Sequence, residues 1–341
     1  MTELLAANGS FLEGFRYPLL VGFVAMVVTW LVTPLVRKVA ISKGAVDDPK
    51  QDDRRVHTEP IPRWGGIALF AGIIVSLGVI LPFAYKFQPF PPYLIGVMIA
   101  GALLVVVGAL DDLYQFRALF QFLYLLAIGV AVQFLFSEVG RVQISGMELP
   151  PIGADRNWTE FGWLAVPVTA IYIFVITKTM DTIDGIDGLA AGVAVIAGAT
   201  LSIIATYEGQ PRVALIAAAT AGSSLGFLRH NFNPAKIFMG TGGAQLLGFL
   251  LASLSIVGAF KTAAALALFI PILVFGVPII DAFVVVTRRL LSRQPITKAD
   301  KRHVHHALLS KGLSQKQAVW ILYMVAASLS FILIVMVKSY G

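Results

Sequence analysis

The chain has no cysteine among its 341 residues, which excludes disulfide frameworks and thiolate metal sites. It has little charge: Asp, Glu, Lys and Arg make up 13% against 57% hydrophobic residues, too little to solvate a globular domain of this length. It has only five histidines, and three of them crowd into His303-Val-His-His306. The layout of a cleavable leader is also missing. Glu3 and Glu13 precede the first apolar run, and that run is too long for a leader core, so it reads as a retained helix. What the chain has in quantity is apolar blocks of roughly 20 residues, the length that crosses a bilayer as helix. The mean hydropathy of +0.82 agrees.

These blocks predict an all-α integral membrane protein, one polytopic domain over 1–341 with about ten transmembrane helices. The expected spans are roughly 17–36, 65–85, 91–110, 119–136, 161–177, 188–207, 211–228, 243–260, 264–286 and 317–337. Of the 26 Lys and Arg, 19 fall in the loops after the odd-numbered spans. Positive-inside therefore puts both termini outside and those loops in the cytoplasm, including a long one over 287–316. The net charge of +7 then reflects basic loops on one face of a lipid bilayer, not a nucleic-acid partner. The acids sort as well. Eleven of the twelve Asp lie in or beside the cytoplasmic loops, whereas six of the seven Glu lie on the other side. Solubility does not choose short carboxylates for one face; a hard divalent cation does, since Mg²⁺ takes one or two carboxylates plus water and substrate phosphates.

Three stretches concentrate the chemistry. In Lys178-Thr-Met-Asp-Thr-Ile-Asp-Gly-Ile-Asp-Gly-Leu189, Asp181, Asp184 and Asp187 recur at every third position. On one helix they would form a row along a face, thinned by Gly185 and Gly188. Ionisable groups bordering a span are costly and usually functional; the plainer alternative is a solvated helix end. Asp111 and Asp112 are adjacent, and each raises the other's pKa unless a cation sits between them. Gly240, Gly242 and Gly243 open a span, where they either present backbone N–H groups to a phosphate or let helices pack closely.

Other loops add charge suited to an anionic ligand. Arg55, His57 and Arg63 lie among Pro60, Pro62 and Trp64, placed for lipid head groups or a phosphorylated substrate. The three imidazoles after Asp300 allow zinc, but Arg293, Lys301 and Arg302 beside them suit an anionic substrate better. Pro271, Gly276 and Pro278 bend or break the ninth span, with Asp281 just beyond.

Taken together the chain resembles the polyprenyl-phosphate N-acetylhexosamine-1-phosphate transferases, the membrane superfamily that includes WecA, TagO and MraY. The resemblance rests on segments in order along nearly the whole chain. They are Arg55-Val-His-Thr-Glu-Pro-Ile-Pro-Arg-Trp-Gly-Gly66, Asp111-Asp112, Asp184-Gly-Ile-Asp-Gly-Leu-Ala190, Asn231-Phe-Asn-Pro-Ala-Lys-Ile-Phe-Met-Gly240, Pro278-Ile-Ile-Asp281 and His303-Val-His-His306. The last is similar to the WecA/TagO branch. The resemblance implies attack by a lipid phosphate on the β-phosphorus of a UDP-activated amino sugar, with UMP released and Mg²⁺, or Mn²⁺ in its place, required. It implies an enzyme of the inner (plasma) membrane acting at its cytoplasmic face, at the first membrane step of cell-envelope glycan synthesis. A homodimer is compatible with it.

Carried over by position, Asp111, Asp112, Asp184 and Asp187 are the implied catalytic carboxylates. Arg55, His57, Lys178, Asn231, Lys236, Arg302, His303, His305 and His306 are the implied substrate contacts. The chain departs from the family pattern where Met-Gly-Asp-x-Gly-Ser reads Met239-Gly-Thr-Gly-Gly-Ala244, and where Asn-x-x-Asn reads Lys178-Thr-Met-Asp181. One carboxylate is lost at Thr241 and one gained at Asp181. The expectation is relocation, with Asp111, Asp112 and Asp181 as metal ligands and Lys178 beside the diphosphate. Arg117 and Gln121 stand by as supporting residues. The alternatives are a changed donor, MurNAc-pentapeptide included, or a protein that binds lipid phosphate or nucleotide without turnover.

Overall fold

A computed structural model describes residues 2–47, 60–84, 90–137, 140–149, 157–258, 308 and 312–340. Its helices are α1 (Thr2–Ser42), α2 (Gly65–Ala84), α3 (Pro92–Tyr114), α4 (Ala118–Ala131), α5 (Ala165–Ile183), α6 (Leu189–Tyr207), α7 (Pro211–Asn231), α8 (Gly240–Val257) and α9 (Gln315–Tyr340). Eight of these are long and apolar enough to cross a bilayer, α5 together with the short turn before it. The protein is thus an all-α, multi-pass membrane protein. The expected span 264–286 lies outside the described residues.

The helix ends follow local chemistry. Proline stands at the first turn of α3 and α7, where its missing N–H is no loss. Gln115 turns left-handed (φ 50°) after α3, and its N–H bonds the Asp111 carbonyl, which stops the helix. α4 differs from the expected span 119–136. Its 14 residues rise only about 21 Å. The chain then continues as turns through 132–137, with buried Gln133 donating to the Gly129 and Val166 carbonyls at 2.8 and 3.1 Å.

Two short antiparallel ribbons were not legible as strands. β1 (Val46–Asp47) pairs with β2 (Ile61–Pro62), and β3 (Gly146–Leu149) with β4 (Asn157–Glu160). The first matters for the site. From β2 the backbone runs on beside the start of α8: Phe238 N–H bonds the Pro62 carbonyl at 2.8 Å, and Gly65 and Gly66 N–H bond the Phe238 and Met239 carbonyls at 3.0 and 2.9 Å.

α8 is the centre of the bundle. It touches α2, α3, α5, α6 and α7, and from Gly240 to Ile256 every residue except Thr241 is buried. Such a helix is buried all round because it meets protein on all sides. Small residues carry the closest approaches, as membrane helices favour. A Cβ on Gly222 would lie 1.9 Å from the Gly22 carbonyl oxygen, and one on Gly226 would lie 2.1 Å from that of Met26, which locks α7 to α1. Thr29 and Ser223 hydrogen-bond at 2.8 Å in the same seam, and Ser223 donates to the Leu69 carbonyl at 2.7 Å.

Candidate active site

The last turn of α3 carries two buried carboxylates that point apart. Neighbouring residues on a helix project about 100° from each other. Asp111 turns to α4, where Gln121 Nε2 donates to both its oxygens at 3.1 and 3.0 Å and Phe116 N–H adds a bond of 2.8 Å. Asp112 turns to α8, where Thr241 N–H meets Oδ1 at 3.1 Å. A carboxylate at a helix N-terminus is favourable because the unpaired N–H groups and the helix dipole both face it. The Arg63 guanidinium lies 3.7 Å from the same Oδ1 and is bonded to Asp47 through its other nitrogen. The β1–β2 ribbon puts that arginine there. Each acid of the pair thus has its own hydrogen-bonded surroundings.

One atom stands out. Asp112 Oδ2 is buried and has no hydrogen-bond partner. A buried acceptor left unpaired costs about 1–3 kcal/mol. Gly240 crowds it so closely that a Cβ there would sit 2.2 Å away, and Gly240 also has φ +70°. The glycines at the head of α8 thus serve close packing. A Cβ on Gly108 would fall 2.2 Å from Gly242 Cα, and one on Gly66 would fall 2.4 Å from Gly243 N.

The row expected at Asp181, Asp184 and Asp187 is broken. α5 ends at Ile183, Asp184 is its cap with ψ 34°, and Gly188 at φ +82° starts α6. Asp181 remains on α5, where Lys178 Nζ bonds its Oδ2 at 2.5 Å and the Gln121 Oε1 at 2.9 Å. Asp184 lies within electrostatic reach of Asp181, Asp112, Asp187 and Arg63. Burial pushes its carboxyl well above the usual range; the charges of Asp181 and Asp112 push the same way, and Arg63 opposes them. Asp187 turns away to the α7–α8 loop, where Asn233 Nδ2 and Ala235 N–H bond its Oδ2 at 2.9 and 3.0 Å.

The structure therefore brings Asp47, Arg63, Asp111, Asp112, Gln121, Lys178, Asp181, Asp184 and Asp187 to one end of the bundle, from loops expected on one side. Asn231 is buried in bracing: its Oδ1 accepts from Gly188 N–H at 3.1 Å, and its Nδ2 donates to the Ile237 carbonyl at 3.0 Å. Lys236 is exposed. Arg55, His57, Arg302, His303, His305 and His306 lie outside the described residues, as do Asp281 and Asp300. Among the described residues no three carboxylates or imidazoles converge on a point that could hold a metal ion. A cation here would be held by fewer side chains, which is the usual habit of Mg²⁺.

The family model for glycosyl transferase family 4 matches residues 94–259. Over 319 residues the chain is 37% identical to a Bacillus subtilis (strain 168) protein named "Probable undecaprenyl-phosphate N-acetylglucosaminyl 1-phosphate transferase", covering 93% of this chain and 85% of that protein. The chain belongs to the polyprenyl-phosphate N-acetylhexosamine-1-phosphate transferase superfamily. Similarity at 33% identity over 340 residues extends to the decaprenyl-phosphate N-acetylglucosaminephosphotransferase of Mycobacterium tuberculosis (strain H37Rv), covering 92% of this chain and 80% of that one. The undecaprenyl-phosphate alpha-N-acetylglucosaminyl 1-phosphate transferase of Escherichia coli (strain K12) is 25% identical over 308 residues, covering 89% of this chain and 80% of that one.

This member of the superfamily holds its site with residues that sequence patterns did not single out. Asn233 joins Asp187 to Gln315 Oε1, the latter bond at 2.8 Å, and so links two loops to the start of α9. Tyr323 on α9 donates to the Gly188 carbonyl at 2.5 Å. Gly192 leaves room for that ring, since a Cβ there would lie 2.0 Å from the Tyr323 hydroxyl. Replacing Tyr323 with Phe keeps the ring and removes one of the two bonds to the Gly188 carbonyl, which still accepts the Gly192 N–H at 2.9 Å. We expect a loss of about 1 kcal/mol, read as a lower thermal midpoint in detergent, with the secondary structure content unchanged.

Proposed function

We propose that the protein transfers N-acetylglucosamine 1-phosphate from a UDP-linked donor to polyprenyl phosphate and releases UMP, at the cytoplasmic face of the plasma membrane. The printed names of its relatives support the acceptor lipid and the amino sugar. The basic loops support the side, because positive-inside puts the loops that carry the site in the cytoplasm.

The observation that carries this reading is the unpartnered, buried Oδ2 of Asp112. A carboxylate oxygen kept dry, unpaired and walled by glycine suits a divalent cation as its missing partner. The residues present fit Mg²⁺: Asp112 would hold it, with Asp111 beside it, and the cation would neutralise charge on the donor diphosphate. The chain's own residues do the rest. Arg63 fixes Asp112 from outside and adds a positive charge at the same end of the bundle. Asp111, held by Gln121 and Phe116, presents a carboxylate in a fixed orientation. The acceptor needs no general base of its own, since a phosphate monoester has its second pKa near ~6 and is largely ionised at neutral pH. One acceptor oxygen forms a bond to the β-phosphorus. The bond from that phosphorus to the bridging oxygen breaks, and its electron pair leaves with UMP.

The test is UMP release by the purified full chain with UDP-N-acetylglucosamine, undecaprenyl phosphate and Mg²⁺. Release that depends on both substrates and stops with EDTA is the expected result. No release, in protein that still binds a uridine nucleotide, would reject this donor and turn the search to other UDP-sugars.

A further inference from the structure

We propose that Lys178 and Asp181 form a built-in ion pair that, through Gln121, sets the orientation of Asp111, and that Asp181 serves Lys178 instead of the cation. This rests on the transferase reading above. It revises the relocation expected from the two substitutions.

The geometry is a continuous relay across three helices. Lys178 and Asp181 stand at i and i+3 on α5, so they share a face, and the ammonium meets Asp181 Oδ2 at 2.5 Å. The same ammonium meets Gln121 Oε1 on the first turn of α4 at 2.9 Å. Gln121 then gives its Nε2 to both oxygens of Asp111 at the end of α3, at 3.1 and 3.0 Å.

The chemistry of the groups explains why each is needed. A carboxamide has a donor end and an acceptor end, and an ammonium can only donate. Lys178 can therefore meet only the oxygen of Gln121, which leaves only the NH₂ end for Asp111. Without the lysine the oxygen end of the amide loses its tether, and the NH₂ end is held by Asp111 alone. Lys178 in turn needs a counter-ion in a setting that is part-buried, and Asp181 is the one it bonds.

Charge counting agrees. Where the family pattern has two asparagines, this chain has a cation and an anion, which sum to the same zero. The pair therefore does not replace the negative charge missing at Thr241; the site works with one negative charge fewer. Lys178 and Gln121 are positioning residues for Asp111, with Asp181 as their anchor.

Two measurements on the full chain decide the matter, and the first needs no metal. In EDTA, Asp181→Asn strands the ammonium, so the thermal midpoint should fall by about 2 °C, and Lys178→Asn/Asp181→Asn should recover most of that loss. If Asp181 is a vacant metal ligand, Asp181→Asn relieves crowding among acids and the midpoint rises in EDTA; that result overturns the proposal.

The second measurement is Mn²⁺ titration followed by electron paramagnetic resonance. The double variant keeps the net charge and should bind Mn²⁺ within about twofold of wild type, whereas Lys178→Met, which frees Asp181, should bind it several-fold tighter. A double variant weakened tenfold or more would make Asp181 a ligand.

In the transfer assay Lys178→Met should lower kcat about tenfold with KM for the donor unchanged. Lys178→Arg, also a pure donor, should restore much of it. Absence of turnover by wild type would reject the proposed donor while leaving the first two measurements able to decide the ion pair.

Discussion

Asp112→Asn should lower UMP release by on the order of 10³-fold and leave the protein folded. Asparagine has nearly the volume of aspartate, and its side-chain oxygen can still accept the Thr241 N–H that now bonds Oδ1 at 3.1 Å. The amide nitrogen then takes the place of Oδ2, the buried oxygen with no partner. A donor replaces an acceptor at the atom proposed to face the cation, and a negative charge is lost. The neighbours gain, because Asp184 lies within reach of the Asp112 charge that now pushes its carboxyl upward. The expected pattern is near-complete loss of turnover, a thermal midpoint within a few degrees of wild type, and weaker Mn²⁺ binding. A variant with a tenth or more of the wild-type rate would show that Oδ2 is not where the chemistry is assisted.

The largest effect on stability should come from a single carbon. Gly108→Ala places a Cβ 2.2 Å from Gly242 Cα and 2.3 Å from Gly242 N, with Thr241 C at 3.0 Å. These are backbone atoms at the start of α8, and that stretch is tied on its other side to Gly65 and Gly66. Nothing there can rotate aside, so α3 and α8 must part. We expect a cost of about 3 kcal/mol or more, at or above the upper range for overpacking, and most of the protein lost to aggregation on extraction in detergent. Gly78→Ala on α2 is the matched control, because nothing lies within 4 Å of its Cβ. There alanine should be neutral or stabilise by about 0.5–1 kcal/mol. Equal recovery of the two variants by size-exclusion chromatography would disprove the close seam.

Much of the fold and the outline of the site were legible in the sequence. The apolar blocks located every described span to within several residues because lipid leaves the backbone little choice but helix. The segregation of Asp from Glu pointed to the end where Asp111, Asp112, Asp181, Asp184 and Asp187 are found. What the sequence did not carry was orientation. Asp111 and Asp112 diverge because different helices wait for them, α4 for one and the head of α8 for the other. The acid row breaks after Ile183 because Asp184 and the residues up to Gly188 form a turn, and that turn is closed by Asn231, Asn233 and Tyr323 from distant segments. Asn233 and Asn231 are two residues apart in one motif. Only the fold reveals that the first reaches a site carboxylate while the second braces backbone. Gln121 was expected as a supporting residue, but the sequence did not say that it would stand between Asp111 and Lys178.

The burial of α8 has a consequence for how the chain enters the membrane. The most apolar windows of α2 and α3 have a mean hydropathy of 2.5, whereas those of α7 and α8 reach only 1.3 and 1.5. Insertion of a helix from the translocon follows its affinity for lipid, and these two have the least. Their small and polar residues, including Gln245, Ser253 and Ser255, are suited to protein neighbours and not to acyl chains. The segment that heads the site should therefore leave the translocon only when earlier helices are there to receive it. Assembly of the catalytic end is then a late event in biogenesis, and any change that slows docking of α7 and α8 exposes the chain to membrane quality control before it can act.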